Sequence, residues 1–204
     1  MSVLYFIFNL VILKGDDILS LVQPIRDKKV LDLFKREVLG RSRRDYIMVL
    51  IGINTGLRIG DIVPLKVKDV YKKTHINIEE QKTGKRKVFP IMHIGKEINA
   101  YIEEEGLEGQ DYLFRSRQVD RDGIKRSIST TQAYRRLKAV AVDLGIDDFG
   151  THSLRKSFGY HYYKQTKDIA KLMTIFNHSS EAITMRYIGI TQEAIDESMM
   201  NFRL

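Results

Sequence analysis

Apolar residues along this chain recur mostly at the three-to-four-residue spacing of an α-helix, which leaves strand structure to one hairpin. After Pro24, the run Ile25 to Leu39 puts Val30, Leu31, Leu33, Phe34 and Val38 at helical spacing, with Arg26, Lys28, Lys29, Lys35 and Arg36 over much of the rest. Asp45 to Leu57 is apolar almost throughout, as in a helix buried on most sides and ended near Gly56. Alternation in His75–Glu79 and again in Lys87–Pro90 brackets a turn at Thr83, Gly84 and Lys85, which predicts a β-hairpin with Lys82 at its shoulder. Helices are predicted over Gly95–Glu105, Thr130–Leu144, His152–Lys164, about 168–176 and about 180–188, then a last amphipathic one at about 191–202 capped by Thr191. The fold class that follows is mainly α with a small antiparallel β-sheet, an α+β arrangement.

A chain of 204 residues can bury a substantial core in one domain and is too short for two large ones. No repeat, low-complexity tract or linker interrupts it, so residues 21–190 are expected to form one domain, with an apolar extension at 1–20 and an amphipathic tail at 191–204. Val3 to Leu13 is strongly apolar but shorter than the roughly 20 residues that cross a bilayer as a helix. It also lacks the basic start and small-residue cleavage site of a secretory signal, with Asp16 and Asp17 where that site would fall. Burial against the core or a neighbouring subunit is the preferred reading, and the remnant of a lost or differently started N-terminal region is the alternative. Absence of cysteine excludes disulfides, thiolate nucleophiles and cysteine metal sites, and fits a cytoplasmic protein. Lysine plus arginine total 34 against 26 acidic residues, a charge of +8 that raises the local concentration of polyanions. Nucleic acid is therefore the first partner to test, although charge alone is better explained by a basic surface that keeps the chain dissolved.

Three local patterns carry candidate chemistry. In Thr55-Gly56-Leu57-Arg58-Ile59-Gly60-Asp61 an arginine sits between glycines in an apolar neighbourhood, either structurally paired or awaiting an anion, with Asp61 placed to hold the guanidinium. His152 and Arg155 are three apart at a helix start and so share a face, a spacing that by itself more often marks a solvated or structural surface. His178 and Tyr187 are nine apart, about half a turn out of phase on one continuous helix. Ser179 and Ser180 break that helix, and a serine-capped restart can turn the tyrosine toward the histidine. Taken singly, Tyr187 is one of ten tyrosines, for which packing is the ordinary role.

Together these residues resemble the tyrosine recombinases, the phage-integrase and Xer-like family of site-specific DNA recombinases, from about residue 20 to 190. Arg58 matches the family's arginine in a Thr-Gly-Leu-Arg context, and Lys82 in Gln81-Lys82-Thr83-Gly84-Lys85 its hairpin lysine. His152 and Arg155 match its His-x-x-Arg box, and His178 and Tyr187 its second histidine and tyrosine. All six stand in the family's order. Asn177 stands where many members carry glycine, a change to a backbone position and to no catalytic group. Members usually have a separate N-terminal helical domain that closes around DNA, which the short segment before residue 20 is not expected to supply.

The resemblance implies a catalytic core that breaks and rejoins DNA with no metal or other cofactor, leaving a 3′-phosphotyrosyl link on Tyr187. Guanidinium groups match phosphate oxygens two at a time, which suits Arg58 and Arg155 to charge growing on the phosphate. His152 is then the general base, Lys82 the general acid and His178 a hydrogen-bond donor to the phosphate. Neither a carboxylate cluster of the two-metal kind nor a His-Glu-x-x-His motif occurs in the sequence. Arg41, Arg43, Arg44, Lys85, Arg86 and Lys87 are candidates for backbone phosphates, with a solvated basic face as the equal alternative. The expected partner is double-stranded DNA at a specific site, and the protein is expected to belong to a phage or mobile element. The chain is expected as a homo-tetramer on DNA and as a monomer or dimer when free, with accessory proteins as further candidates. The tail, with Ile195, Met199, Met200 and Phe202, packs on its own core or is exchanged between subunits, as in similar recombinases. The rivals are a non-catalytic DNA-binding module of the same fold, a relaxing enzyme of the type IB topoisomerase kind and, more remotely, a phosphatase.

Overall fold

The computed structural model describes residues 22–79, 84–119, 121, 123, 125–190, 199–200 and 202–203. The apolar extension, the helix expected at 191–202 with its Thr191 cap, and Lys82 therefore lie outside the described residues; Met199, Met200 and Phe202 are described and exposed. In chain order the elements are α1 (Lys28–Arg41), α2 (Arg43–Thr55), α3 (Ile59–Ile62), α4 (Val67–Val70), β1 (His75–Glu79) and β2 (Arg86–Pro90). They continue with α5 (Gly95–Glu104), α6 (Thr130–Asp143), α7 (Ser153–Thr166), α8 (Ile169–Phe176) and α9 (Glu181–Tyr187). Among the described residues the only sheet is this antiparallel hairpin, in register His75 to Pro90 and Glu79 to Arg86, with Ile76 and Phe89 facing the core. No described helix is long and apolar enough to cross a membrane.

Helix boundaries are set by caps more than by periodicity. The Asp27 carboxylate accepts from the Lys29 and Val30 N–H groups and starts α1 three residues later than Ile25. Residues before the cap run as a strap along α7: the Ile25 N–H donates to Ser157 Oγ at 2.8 Å, and Ser153 Oγ donates to the Gln23 carbonyl at 3.0 Å. Ser42 ends α1 with extended backbone and caps α2 by accepting from the Asp45 N–H, so one residue closes one helix and opens the next. Helices α3 and α4, one turn each, are additions to what periodicity predicts. The second is held by Asp69, which accepts from the Lys66 N–H, and by the Val67 N–H reaching the Asp111 carbonyl.

Helix α2 is the hub, burying Ile47, Met48, Val49 and Ile51 while α1, α5, α6 and α7 pack around it. A second, smaller cluster lies on the far side of α7, where Leu172, Phe176, Ile188 and Ile190 pack under Phe158, Tyr162, Tyr163 and Met185. Gly159 permits this, because a Cβ there would stand 2.7 Å from both Ile188 and Phe176. Helices α8 and α9 thus form a small body against α7, at the seam between the two clusters.

Candidate active site

The seam is built around Arg155. Its side chain is 2 % exposed, donates to the carbonyls of Gly56 and, at 3.1 Å, Phe176, and lies 4.4 Å from the centroid of the Phe176 ring. Gly56 supplies its carbonyl from the end of α2 by adopting φ +67°, where a Cβ would also stand 2.4 Å from Phe158. Arg58 follows at the N-cap of α3, with its guanidinium 3.9 Å from Asp61, a loose ion pair to a buried carboxylate. Asp61 therefore stands where it can steady Arg58, as its spacing suggested.

Tyr187 lies beside Arg155. Helix α8 ends at Asn177, whose φ of +57° is the left-handed conformation that makes glycine or asparagine suitable there. Ser180 then caps α9 by accepting from the Ile183 N–H, and this restart swings Tyr187 back until its ring centroid is 5.0 Å from that of His178. The Tyr187 hydroxyl lies 3.1 Å from His152 Nδ1, at the start of α7. Burial raises the phenol's pKa, and the charge and hydrogen bond of Arg155, then the charge of Arg58, pull it back in part. A phenol in that state needs a base to attack, and the imidazole of His152 is within reach of its proton.

His178 is pushed down to about 4, first by burial and then by the charges of Arg155, Arg58 and Lys87, so it is neutral at pH 7. Its Nδ1 lies 3.0 Å from Thr184 Oγ1. Lys156, the neighbour of Arg155, puts its Nζ 5.2 Å from the Tyr187 ring centroid and donates to the Val22 carbonyl; burial, then Arg26, lowers its pKa. Sequence spacing gives no signal for Lys156, whereas Thr184 is readable as the residue one helical turn before Tyr187.

The structure brings five of the six predicted residues, Arg58, His152, Arg155, His178 and Tyr187, to one seam. The expected phosphate-contact residues are more dispersed. Lys85 Nζ donates to Asn177 Oδ1, and Lys87 Nζ donates to the Ile175 carbonyl at 2.6 Å, so both tie the hairpin to the end of α8. Arg44 is engaged by Asp45 and the Arg115 carbonyl, Arg43 pairs with Glu104 at 3.1 Å, and Arg41 pairs with Asp143 at 2.7 Å. Arg86 is exposed on β2.

Residues 24–193 match the phage integrase family. A probable integrase/recombinase, YoeC, of Bacillus subtilis is 44% identical over 176 residues, covering 86% of this chain and 93% of that protein. Tyrosine recombinase XerA of Thermococcus kodakarensis is 28% identical over 164 residues, and there the match covers 79% of this chain but 56% of the relative. Among solved structures, a XerA recombinase superposes with a TM-score of 0.69 at 21% identity, over 90% of this chain and 66% of that one. The catalytic domain of bacteriophage HP1 integrase superposes at 0.58 and 17% identity, over 88% and 95%. The chain belongs to the phage integrase family, the tyrosine recombinases, enzymes that cleave and rejoin DNA by transesterification.

Proposed function

We propose that this protein is a site-specific DNA recombinase in which Tyr187 forms a 3′-phosphotyrosyl link to the cleaved strand. The Tyr187 oxygen attacks phosphorus, its proton passes to His152, and the bond from phosphorus to the 5′ oxygen breaks. The departing 5′ oxygen takes a proton from Lys82, the family's general acid. Arg58 and Arg155 neutralise the charge that develops on the non-bridging oxygens. A 5′-hydroxyl of another strand then reverses the reaction, and the link conserves the bond energy that this requires. The observation that carries the reading is the Tyr187 hydroxyl 3.1 Å from His152 beside the buried Arg155 guanidinium.

Double-stranded DNA is the substrate. Fold neighbours support this, since XerH was solved on its difH substrate and lambda integrase as a dimer on a core site. Residues 21–190 form the catalytic domain, and the tail from 191 is exchanged between subunits of a tetramer on DNA, with Arg86 on the DNA-facing surface. The protein acts in the cytoplasm. The test uses nicked duplexes tiled across the DNA that flanks the coding region. A denaturation-resistant adduct that forms with the wild type and is absent in Tyr187→Phe is expected, and an adduct that persists in Tyr187→Phe sinks the proposal.

A further inference from the structure

One threonine in the seam has a position that the six catalytic residues do not account for. Thr184 is completely buried in α9, and its hydroxyl lies within reach of two groups, the Ser180 carbonyl at 3.2 Å, which can only accept, and His178 Nδ1 at 3.0 Å, which donates or accepts according to the ring's tautomer. A hydroxyl carries one hydrogen and can serve only one of them. The choice matters because a neutral imidazole has one N–H. If Nδ1 holds it, Nε2 turns a lone pair toward an incoming phosphate; if Nδ1 accepts from Thr184, Nε2 carries the hydrogen that an anion requires. The shorter distance is the one to Nδ1.

We infer that Thr184 is a positioning residue that, by donating its hydroxyl hydrogen to Nδ1, holds His178 in the tautomer whose Nε2–H faces the DNA phosphate. This rests on the recombinase reading and deepens it. The contact spans the break between α8 and α9, so the same hydroxyl also ties the helix that bears Tyr187 to the loop that bears His178. The neutrality of the ring at pH 7 makes the tautomer decisive, because an imidazolium would donate from both nitrogens whatever Thr184 did.

Valine matches threonine in shape and lacks only the hydroxyl, so Thr184→Val isolates the hydrogen bond. Single-turnover adduct formation on the nicked duplex is expected to slow about tenfold in Thr184→Val and to return to near the wild-type rate in Thr184→Ser. In a His178→Ala background, Thr184→Val should have no further effect. An equal slowing in that background would make Thr184 merely structural and overturn the inference. Nitrogen NMR of histidine-labelled full chain with inorganic phosphate gives a readout independent of DNA. His178 should show an acceptor-type Nδ1 whose shift changes in Thr184→Val and is kept in Thr184→Ser. A protonated Nδ1 in the wild type, or no change in Thr184→Val, refutes the tautomer assignment. A wild type that forms no adduct refutes the recombinase reading instead, while the NMR arm still decides this one.

Discussion

Replacing Arg155 by lysine should damage stability and catalysis through separate parts of one side chain. The guanidinium bridges two carbonyls from different regions, Gly56 at the end of α2 and Phe176 at the end of α8, and stacks 4.4 Å above the Phe176 ring. An ammonium keeps the charge but cannot serve both carbonyls in the plane that the fork occupies, so one buried carbonyl loses its donor. A hydrogen bond to a charged group contributes about 1.5–3 kcal/mol, which sets the expected loss in urea unfolding of Arg155→Lys. On the proposed mechanism catalysis also loses a charged donor to the phosphate, about 3–4 kcal/mol or two to three orders of magnitude in adduct formation. The two losses are separable, since unfolding needs no DNA and the rate can be measured where the variant is fully folded. A variant within about 0.5 kcal/mol of the wild type in urea and within a few-fold in rate would refute the bridging argument.

Two further outcomes follow from the site. His178 is depressed to about 4 while an unfolded histidine titrates near 6.5, so the unfolded chain binds the proton first on acidification. Its contribution is complete above about pH 6.5 and lost toward pH 4; discounted for a ring that is only partly buried, it amounts to about 1–2 kcal/mol. Urea unfolding at pH 7 and pH 5 should therefore differ less in His178→Gln than in the wild type, and an equal difference would remove this histidine as the cause. On DNA, Arg86→Ala should reduce the salt dependence of binding by about one counterion, whereas Lys87→Ala should leave it unchanged and speed amide exchange in α8. The opposite pattern would mean that Lys87 leaves the Ile175 carbonyl for a phosphate.

Periodicity revealed the helical hub and the hairpin because both depend on burying alternate or every-third residues, a pattern written locally in the chain. It could not reveal α3 and α4, whose single turns are stabilised by distant partners such as the Asp111 carbonyl. Nor did it show that Lys85 and Lys87 turn toward α8, since alternation says which side of a strand a residue occupies and not what packs there. The start of α1 moved to Asp27 because a carboxylate cap outweighs the apolar Ile25. The site was legible through the ordered resemblance of its residues to the tyrosine recombinases, with which the local pattern is consistent. His178 and Tyr187 had to be separated by a helix break to converge, and Ser179 and Ser180 mark that break in the sequence.

The double engagement of Arg155 bears on how relatives of this chain should be judged. A descendant that abandoned DNA cleavage could exchange Tyr187 for phenylalanine at little structural loss, because the ring packs on Phe176 and His178 while the hydroxyl is what the chemistry uses. It could not shed Arg155 so easily, since that guanidinium stitches the end of α2 to the end of α8. Retired enzymes of this lineage should therefore keep the buried arginine long after the nucleophile has gone, and its survival in a genome reports architecture before it reports activity.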